Sequence, residues 1–357
     1  MIYQTLIEKV CKNCGNTYKL LPECLERDNN LCVTCMEKPA KNSPTEITIK
    51  PEALDLSNLD SDSSCDRLWR PENFDQYKGQ ENLKNILKAY LNGCKEYGKI
   101  FPHTMISGPA GSGKTTISYI IAKQLNLPFV EAVTNTISSP QQFIDKLAEC
   151  QGGILFLDEI HELNRKIANF ILPLLEDFSI NGKKIKPFTL ISATTEKGSL
   201  IKKFKPFVDR MKIQKTLEPY TEADLIHIVE QFKNKTFPSI SIPENVYQKI
   251  SQNCKRTPRI ALRYLESYIY MQKNIETVFQ SYGIVKNGMN KEDIKVLQLL
   301  NEQPKGLGIK AISAYLGTSE QNYSYEIENY LLQEGYITIT TRRIITEKGK
   351  QFLKEVK

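Results

Sequence analysis

The sequence predicts a multidomain α/β protein, in which helices cover both faces of a parallel sheet and smaller domains follow. Three observations predict this fold class. Apolar runs of strand length alternate with helical patterns over residues 68–216, and a glycine-rich turn joins one such strand to a helix. Residues 220–283 are mostly helical by periodicity, with short breaks predicted at Phe237-Pro238 and Thr257-Pro258. The end of the chain has the pattern of helices followed by a β-hairpin.

The first forty residues contain two C-x-x-C pairs, Cys11 with Cys14 and Cys32 with Cys35, separated by seventeen residues. This spacing is typical of structural zinc sites, in which four thiolates on two short turns complete a tetrahedron around Zn²⁺. We therefore predict a zinc module over residues 1–40. Whether this module contacts DNA, a protein or neither stays open. A redox-active C-x-x-C is the alternative, although such a motif usually occurs singly beside a βαβ unit.

Residues 41–66 are rich in Ser, Asp, Asn and Pro, and their acidic residues predict a flexible acidic linker. The composition also excludes two classes of protein. No apolar run approaches the ~18 residues of a membrane span, and the start of the chain lacks the layout of a secretory signal. Nine scattered cysteines do not form a dense disulfide scaffold. A cytoplasmic protein with no membrane partner is expected.

Residues 108–115, Gly-Pro-Ala-Gly-Ser-Gly-Lys-Thr, match the phosphate-loop pattern G-x-x-x-x-G-K-[ST]. They follow a strand-like run over residues 104–107, and a helix is predicted over residues 115–125. The glycines let backbone N–H groups turn toward phosphates, Lys114 reaches the β and γ oxygens of ATP, and Thr115 offers its hydroxyl to Mg²⁺. A glycine-rich turn that binds nothing is the alternative. The residues expected to bind the nucleotide here are Gly108, Pro109, Gly111, Gly113, Lys114, Thr115 and Thr116.

A second apolar run, residues 153–157, ends in Asp158 and Glu159. Acids at the carboxyl end of a strand lie where open α/β sheets bind their ligands. Asp158 is predicted to hold the Mg²⁺ shell, and Glu159 is predicted to orient and deprotonate the attacking water. Two solvated acids in a turn are the alternative.

Two further places in the chain are candidate phosphate sensors. Thr194 and Thr195 follow a third apolar run and are placed to contact the γ-phosphate or its water, although such a pair often caps a helix instead. Arg259 opens an apolar-periodic helix after Thr257 and Pro258. There it is either a phosphate sensor from a second domain or a surface charge.

Positive charge is concentrated in one segment of the chain. The net charge is +7, and residues 183–215 contain ten Lys or Arg against two acids. One interpretation is a face that contacts phosphates of nucleic acid or of a neighbour's nucleotide. The other is a solvated lysine-rich surface.

The end of the chain has the pattern of a winged helix. Helices are predicted over residues 291–301, 309–316 and 322–333, and a β-hairpin follows them. Arg342 and Arg343 are predicted at the tip of this wing, where they suit contact with a DNA backbone or minor groove. Because charge from Met289 onward nearly cancels, a protein-docking winged helix is the alternative.

Several specific motifs join these features from Leu68 onward, and together they resemble the RuvB family of AAA+ ATPases. These motifs are Arg70-Pro71, Tyr77-x-Gly79-Gln80, the phosphate loop, Asp158-Glu159-Ile160-His161, Tyr220-Thr221, Thr257-Pro258-Arg259-Ile260-Ala261 and Tyr330-Leu331-Leu332-Gln333. The resemblance implies a hexameric ring motor that drives branch migration of Holliday junctions. It implies a large α/β ATPase domain over residues 67–218, a helical lid over 219–288 and a winged helix over 289–357.

The resemblance also assigns roles to residues of this chain. ATP and Mg²⁺ would be held by the phosphate loop and Asp158, with Glu159 acting on the attacking water. Thr195 or Thr194 would be the first sensor, and Arg259 would be the second. Arg70, Tyr77 and Tyr220 would lie at the nucleotide, and Arg342 and Arg343 would approach the DNA backbone.

The chain departs from the family pattern in three places. In the family, a long hairpin that docks RuvA follows a Glu-Asp-Phe motif. Here the motif is Glu176-Asp177-Phe178, and only residues 179–187 separate it from the next strand, so the resemblance does not extend to a RuvA-like partner. The arginine that reaches the neighbouring subunit's nucleotide is replaced by Lys205, unless a local insertion moves this role to Arg210. The zinc module and acidic linker lie outside the family pattern.

We therefore expect an ATPase that translocates on or remodels branched or duplex DNA. Two alternatives differ in class. One is an ATP-switched loader or recruiter of a mobile element or defence system, which binds its partner through the zinc module. The other is a regulator whose winged helix recognises DNA sequence.

Overall fold

The computed structural model describes residues 7–10, 17–20, 69–180, 182–271 and 274–356. The chain divides into two compact units, Met1–Asp62 and Ser63–Lys357. In the first unit, β1 (Ile7–Val10) and β2 (Thr17–Leu20) pair antiparallel, with Val10 opposite Thr17. The predicted zinc ligands Cys11, Cys14, Cys32 and Cys35 lie outside the described residues.

The second unit is built on a five-stranded parallel sheet, whose strands are β3 (Thr104–Ser107), β4 (Phe129–Val133), β5 (Ile154–Asp158), β8 (Thr189–Thr194) and β9 (Ile213–Thr216). This confirms the predicted α/β class. The strand order is β4-β5-β8-β3-β9, and all neighbouring strands are parallel.

Helices cover both faces of the sheet because alternate side chains of its central strands are buried on opposite sides. Leu155 and Leu157 pack into one core cluster, whereas Ile154 and Phe156 pack into another. The surrounding helices are α1 (Glu81–Tyr97), α2 (Lys114–Leu125), α3 (Pro140–Cys150), α4 (Arg165–Asp177) and α5 (Lys197–Asp209).

A short hairpin and a kinked helix lie on the path from β5 to β9. The hairpin strands β6 (Ser179–Ile180) and β7 (Lys183–Lys184) have two residues each. Helix α5 is interrupted at Phe204, where φ is −139° and ψ is 47°, shortly before Pro206. Proline has no N–H to bond to the carbonyl four residues earlier, and its ring crowds the preceding turn, so Pro206 favours a kink at this place.

Four helices in the described part of residues 219–288, which we call the lid, pack around a core of their own. They are α6 (Glu222–Thr236), α7 (Glu244–Asn253), α8 (Pro258–Tyr270) and α9 (Ile275–Ser281). The predicted breaks at Phe237-Pro238 and Thr257-Pro258 both separate helices. Strands β10 (Ile284–Lys286) and β11 (Met289–Asn290) pair at the exit from the lid.

The winged helix follows and has a separate core. Its helical elements are α10 (Lys291–Asn301), α11 (Ile309–Leu316), α12 (Glu320–Tyr323), a π-helical turn (Ser324–Glu328), α13 (Asn329–Gln333) and α14 (Glu347–Val356). The wing is formed by β12 (Ile337–Ile339) and β13 (Arg343–Ile345). Helix α14 is an addition to the predicted layout. No helix in the described part of the chain combines the length and apolarity needed to cross a membrane.

Ion pairs join the lid to the winged helix. Lys255 lies 2.7 Å from Asp293, whose side chain is fully buried, and Arg256 lies 3.1 Å from Glu334. Burial raises the pKa of Asp293, while the ammonium group of Lys255 opposes that rise. Because a buried carboxylate without a partner is strongly destabilising, the pairing favours one relative position of the two domains.

His103 directly precedes β3, its ring packs against those of Phe178 and Phe188, and its two ring nitrogens are held in the neutral form. Nδ1 accepts the N–H of Leu190 at 2.9 Å, so the proton resides on Nε2, which donates to the carbonyl of Leu175 at 3.1 Å. Burial lowers the pKa of His103 from its ordinary value of 6.5, and the bond to Leu175 opposes this.

Stability is therefore expected to fall as the pH drops below about 6.5, because the unfolded chain then binds a proton that the folded chain excludes. Above that pH the contribution of His103 is fully present. The free energy of unfolding should fall by at most ~1.4 kcal/mol per pH unit for this one group. Melting temperatures at pH 7.5 and 5.5 should differ less in His103→Asn than in the wild type. His227 is exposed and offers a control, since His227→Asn should keep the wild-type difference in melting temperature. An equal pH dependence in all three proteins would contradict the role of His103.

Candidate nucleotide-hydrolysis site

The phosphate loop runs from β3 to α2 and is shaped by close contacts that only glycine allows. Gly111 and Gly113 have positive φ values of 72° and 95°. A Cβ atom at Gly111 would lie 2.7 Å from Cβ of Arg259, and one at Gly113 would lie 2.8 Å from the hydroxyl of Tyr77. The loop thus meets the lid on one side and the segment before α1 on the other. The N–H of Gly108 donates to the carbonyl of Thr194 at 3.1 Å and fixes the loop to β8.

Lys114 lies beneath this loop and is almost fully buried. Its Nζ donates to the carbonyls of Gly108 at 2.9 Å and Pro109 at 3.0 Å. Burial lowers the pKa of Lys114, and the carboxylates of Asp158 and Glu159 counteract that shift. The arrangement supplies a cation at the loop where phosphate oxygens bind.

Asp158 and Glu159 lie at the carboxyl end of β5, as the sequence predicts. Oδ1 of Asp158 accepts the N–H of Glu159 at 2.9 Å, and its carbonyl accepts the hydroxyl of Thr134 at 2.5 Å. Glu159 has left-handed backbone geometry, with φ 50° and ψ 50°. Such geometry is unfavourable for a residue with a side chain and occurs preferentially at functional sites.

The carboxylate of Glu159 is surrounded by polar side chains. Its Oε2 accepts the hydroxyl of Thr195 at 3.0 Å and lies 3.2 Å from Nδ1 of His161. Nδ1 of His161 also lies 3.2 Å from the hydroxyl of Thr194. His161 is part of a motif named in the sequence, but no role was predicted for it. The feature that could have indicated a role is its position two residues after a candidate catalytic acid.

The opposite end of the pocket contains two linked tyrosines. The hydroxyl of Tyr220 donates to that of Tyr77 at 2.9 Å and lies 3.0 Å from the carbonyl of Ser112. Burial raises the pKa of Tyr220 to about 12 and also raises that of Tyr77, so both stay neutral. Arg70 lines the same pocket and lies 3.6 Å from Glu131.

The pocket also has an apolar wall at the end that holds the two tyrosines, and the sequence did not predict this wall. Trp69, the single tryptophan of the chain, lines the pocket beside Ile228 and Leu262. Its ring packs edge-on against Phe232 of the lid, with centroids 6.4 Å apart. Such a wall suits a purine base, because bases bind against apolar and aromatic surfaces.

One pocket therefore brings together most of the residues expected to act on the nucleotide. Those that line it are Arg70, Tyr77, Gly111, Gly113, Lys114, Thr115, Thr116, Asp158, Glu159, Tyr220 and Arg259. Gly108 and Pro109 contact Lys114, and Thr195 contacts Glu159. The glycine cradle, the buried ammonium and the hydroxyl and carboxylate oxygens fit a nucleotide triphosphate with Mg²⁺.

The two candidates for the intersubunit cation lie away from this pocket, at the end of α5. Arg210 lies 2.6 Å from Glu176 and donates to the carbonyl of Pro206 at 2.7 Å. Lys205 follows the kink at Phe204 and is exposed.

The two wing arginines differ from the expectation that both lie at the tip. Arg342 is exposed in the turn between the wing strands. Arg343 instead belongs to β13, and its guanidinium donates to the two carboxylate oxygens of buried Glu328 at 2.6 Å and 3.3 Å. The physical reason is the alternation of side chains at the start of a strand, which turns Arg343 toward the domain.

Comparison with known proteins identifies the family. The family described as the Holliday junction DNA helicase RuvB P-loop domain matches residues 69–217, and the RuvB C-terminal winged helix domain matches residues 286–354.

Relatives and solved structures agree with this match. The RuvB subunit of the Holliday junction branch migration complex from Nitratiruptor sp. is 33% identical over 326 residues, covering 84% of this chain and 96% of that protein. Its counterpart from Mycoplasma genitalium is 30% identical over 303 residues, covering 79% and 97%. The Thermotoga maritima RuvB Holliday junction branch migration motor matches with a TM-score of 0.70 at 30% identity, covering 80% of this chain and 98% of that one. With a phosphate loop, paired strand-end acids and a winged helix in the matching places, the chain belongs to the RuvB family.

Proposed function

We propose that the protein is an ATP-hydrolysing motor that migrates branched DNA, a RuvB-type ATP-dependent DNA helicase. The observation that carries this proposal is the shared pocket, in which Lys114 and Glu159 from the α/β domain face Arg259 from the lid. The lid is in turn ion-paired to the winged helix. Hydrolysis and movement of the DNA-binding part therefore involve the same elements.

Each residue has a defined task in this proposal. Thr115 and Asp158 would hold Mg²⁺, which neutralises phosphate charge when bound, and Lys114 would bind the β and γ oxygens. Glu159 would take a proton from the attacking water. Thr195 and His161 keep its carboxylate oriented, since both lie within 3.2 Å of Oε2.

The lid would transmit the result of hydrolysis. Arg259 contacts the loop through its backbone N–H, which lies 3.5 Å from the carbonyl of Gly111. Arg256 contacts the carbonyl of Tyr220 at 3.3 Å and Glu334 of the winged helix at 3.1 Å. A change at the phosphates would therefore reposition the lid and the winged helix together.

The winged helix favours recognition of DNA shape rather than sequence. Residues 320–334, which include the helix that reads bases in sequence-specific winged-helix proteins, contain four glutamates and neither lysine nor arginine. A helix of this charge is unsuited to the negative potential of the major groove. Exposed Arg342 on the wing is the proposed backbone contact, so the regulator that recognises a sequence is disfavoured.

Assembly and partners complete the proposal. We infer that six subunits form a ring in which Arg210 acts on the nucleotide bound by the neighbouring subunit. We also infer that the domains have the boundaries stated above. We further infer zinc on Cys11, Cys14, Cys32 and Cys35 from the spacing of the two C-x-x-C pairs. A RuvA-like partner is not assigned, because the hairpin β6–β7 is so short.

The experiment that tests the function is steady-state ATP hydrolysis by the full chain, after one zinc per chain has been verified by metal analysis. Hydrolysis is measured alone and with a four-way junction, a linear duplex of the same sequence, or single-stranded DNA at fixed salt. The motor predicts stimulation by the junction well above that by the duplex, and migration of a labelled junction that requires ATP. Stimulation should persist when the junction arms are replaced by unrelated sequences.

Three results would contradict parts of the proposal. A hydrolysis rate that ignores every DNA would favour the ATP-switched loader that binds a partner through its zinc module. Dependence on one duplex sequence would favour the regulator. Less than one zinc per chain after purification without chelator would remove the metal from the N-terminal module.

A further inference from the structure

The loop after β8 carries a polar cluster around the hydrolytic carboxylate. The N–H of Glu196 donates to the hydroxyl of Thr194 at 2.9 Å, and its Oε1 lies 4.0 Å from Nε2 of His161. His161 and Thr195 in turn contact Glu159. We call these five residues the Glu159 cluster.

Tyr325 of the winged helix reaches this cluster from a distant part of the chain. Its hydroxyl donates to Oε1 of Glu196, 129 positions away in sequence. Burial raises the pKa of Tyr325, and the bond to Glu196 raises it further, so the hydroxyl keeps the proton that it donates. A bond from a hydroxyl to a carboxylate is among the stronger hydrogen bonds in proteins.

The backbone around Tyr325 links the same contact to the wing. Tyr325 belongs to the π-helical turn Ser324–Glu328, and such turns are rare and frequent at functional sites. Glu328 in this turn is the buried carboxylate that accepts two hydrogen bonds from Arg343 of the wing. One turn of helix therefore contacts the wing on one side and the Glu159 cluster on the other.

The contact also depends on the orientation of the lid. The winged helix is ion-paired to the lid through Lys255 and Arg256, whereas Glu196 belongs to the α/β domain. Tyr325 can therefore bond to Glu196 only in orientations of the lid that bring the winged helix to this loop.

We propose that Tyr325 is a positioning residue that acts through Glu196 on the Glu159 cluster, so that hydrolysis responds to the position of the winged helix and to DNA at the wing. The inference rests on the proposed function, in which Glu159 activates water. It names a route from the DNA-binding part to the hydrolytic site within one subunit.

The test removes one hydroxyl from the full-length protein. Tyr325→Phe is expected to lower kcat for ATP about three- to tenfold, the range that loss of one hydrogen bond allows, while KM changes less than about twofold. The ratio of kcat with and without four-way junction should fall toward one. Tyr330→Phe is the matched control, because it removes another hydroxyl from the same helical region. This hydroxyl donates to the carbonyl of Asn287 at 2.6 Å, and its loss should leave both kcat and the ratio of kcat with and without junction unchanged.

A double-mutant cycle distinguishes positioning from general damage. If Tyr325 acts through Glu196, Tyr325→Phe combined with Glu196→Gln should lower kcat no further than the more severe single variant does. The inference would be overturned if the effects of the two substitutions on kcat multiply in the double variant. It would also be overturned if Tyr325→Phe leaves kcat unchanged or changes KM alone.

Failure of the proposed function gives a different pattern. If the wild type hydrolyses ATP but ignores every DNA, the DNA motor is wrong, and the cycle on kcat without DNA still decides the role of Tyr325. If the wild type hydrolyses no ATP, both proposals fall together.

Discussion

Replacing Glu159 with glutamine is expected to leave ATP binding intact and to lower the hydrolysis rate by about 10²- to 10⁴-fold. Glutamine keeps the size of the side chain and its contacts with Thr195 but cannot accept a proton from water. Trp69 supplies the binding assay, because the only tryptophan of the chain lines the pocket and its fluorescence should respond to nucleotide. Hydrolysis is followed by phosphate release under saturating ATP.

A neighbouring glutamate provides the control for this substitution. Glu162 is exposed in the same loop, three positions after Glu159, and Glu162→Gln should hydrolyse ATP at the wild-type rate. Normal turnover by Glu159→Gln would remove its assignment as the base. Loss of the fluorescence response would show instead that the substitution damages the nucleotide pocket.

Replacing Arg210 with alanine is expected to reduce hydrolysis by about 10³-fold or more in the assembled protein, the effect typical of an arginine that stabilises a neighbour's γ-phosphate. ATP binding by each subunit should persist, because Arg210 does not line its own pocket. In the structure its guanidinium is held by Glu176 at 2.6 Å, so binding a neighbour's phosphate requires that pair to open.

Mixing two inactive variants gives the sharper test. In rings that contain both Arg210→Ala and Glu159→Gln subunits, some interfaces combine an intact Glu159 with an intact Arg210, and partial activity should return. Lys205→Ala is the matched control and should retain hydrolysis, since Lys205 is exposed in α5, the helix that ends just before Arg210. The reverse outcome, loss with Lys205→Ala and retention with Arg210→Ala, would place the intersubunit role on Lys205.

Features whose chemistry is local could be read from the sequence. The phosphate loop requires glycines, lysine and threonine at fixed spacing, so its strand and helix were predicted to within one residue of Thr104–Ser107 and Lys114–Leu125. The breaks in the lid were predicted because Pro238 and Pro258 restrict the residues before them. The α/β class followed from alternating patterns of strand and helix.

Features that depend on contacts between distant parts of the chain could not be predicted from the sequence. No pattern near Glu196 indicates Tyr325, and Lys255 and Asp293 are 38 positions apart in different domains. The predicted tip of the wing was displaced by one residue, and a single position in a strand turns a side chain to the opposite face, which is why Arg343 points inward. The π-helical turn has no sequence signature, since its helical pattern resembles that of an α-helix.

The ion pairs between lid and winged helix also have a mechanical consequence. Because Lys255 and Arg256 fasten Asp293 and Glu334, the two domains would move as one lever arm in the proposed mechanism, with Arg259 of the lid beside the phosphate loop. The displacement of a lever grows with distance from its pivot, so a small rotation at the nucleotide becomes a larger stroke at the wing. The length of that arm, rather than the extent to which the pocket closes, would then set the step size along DNA.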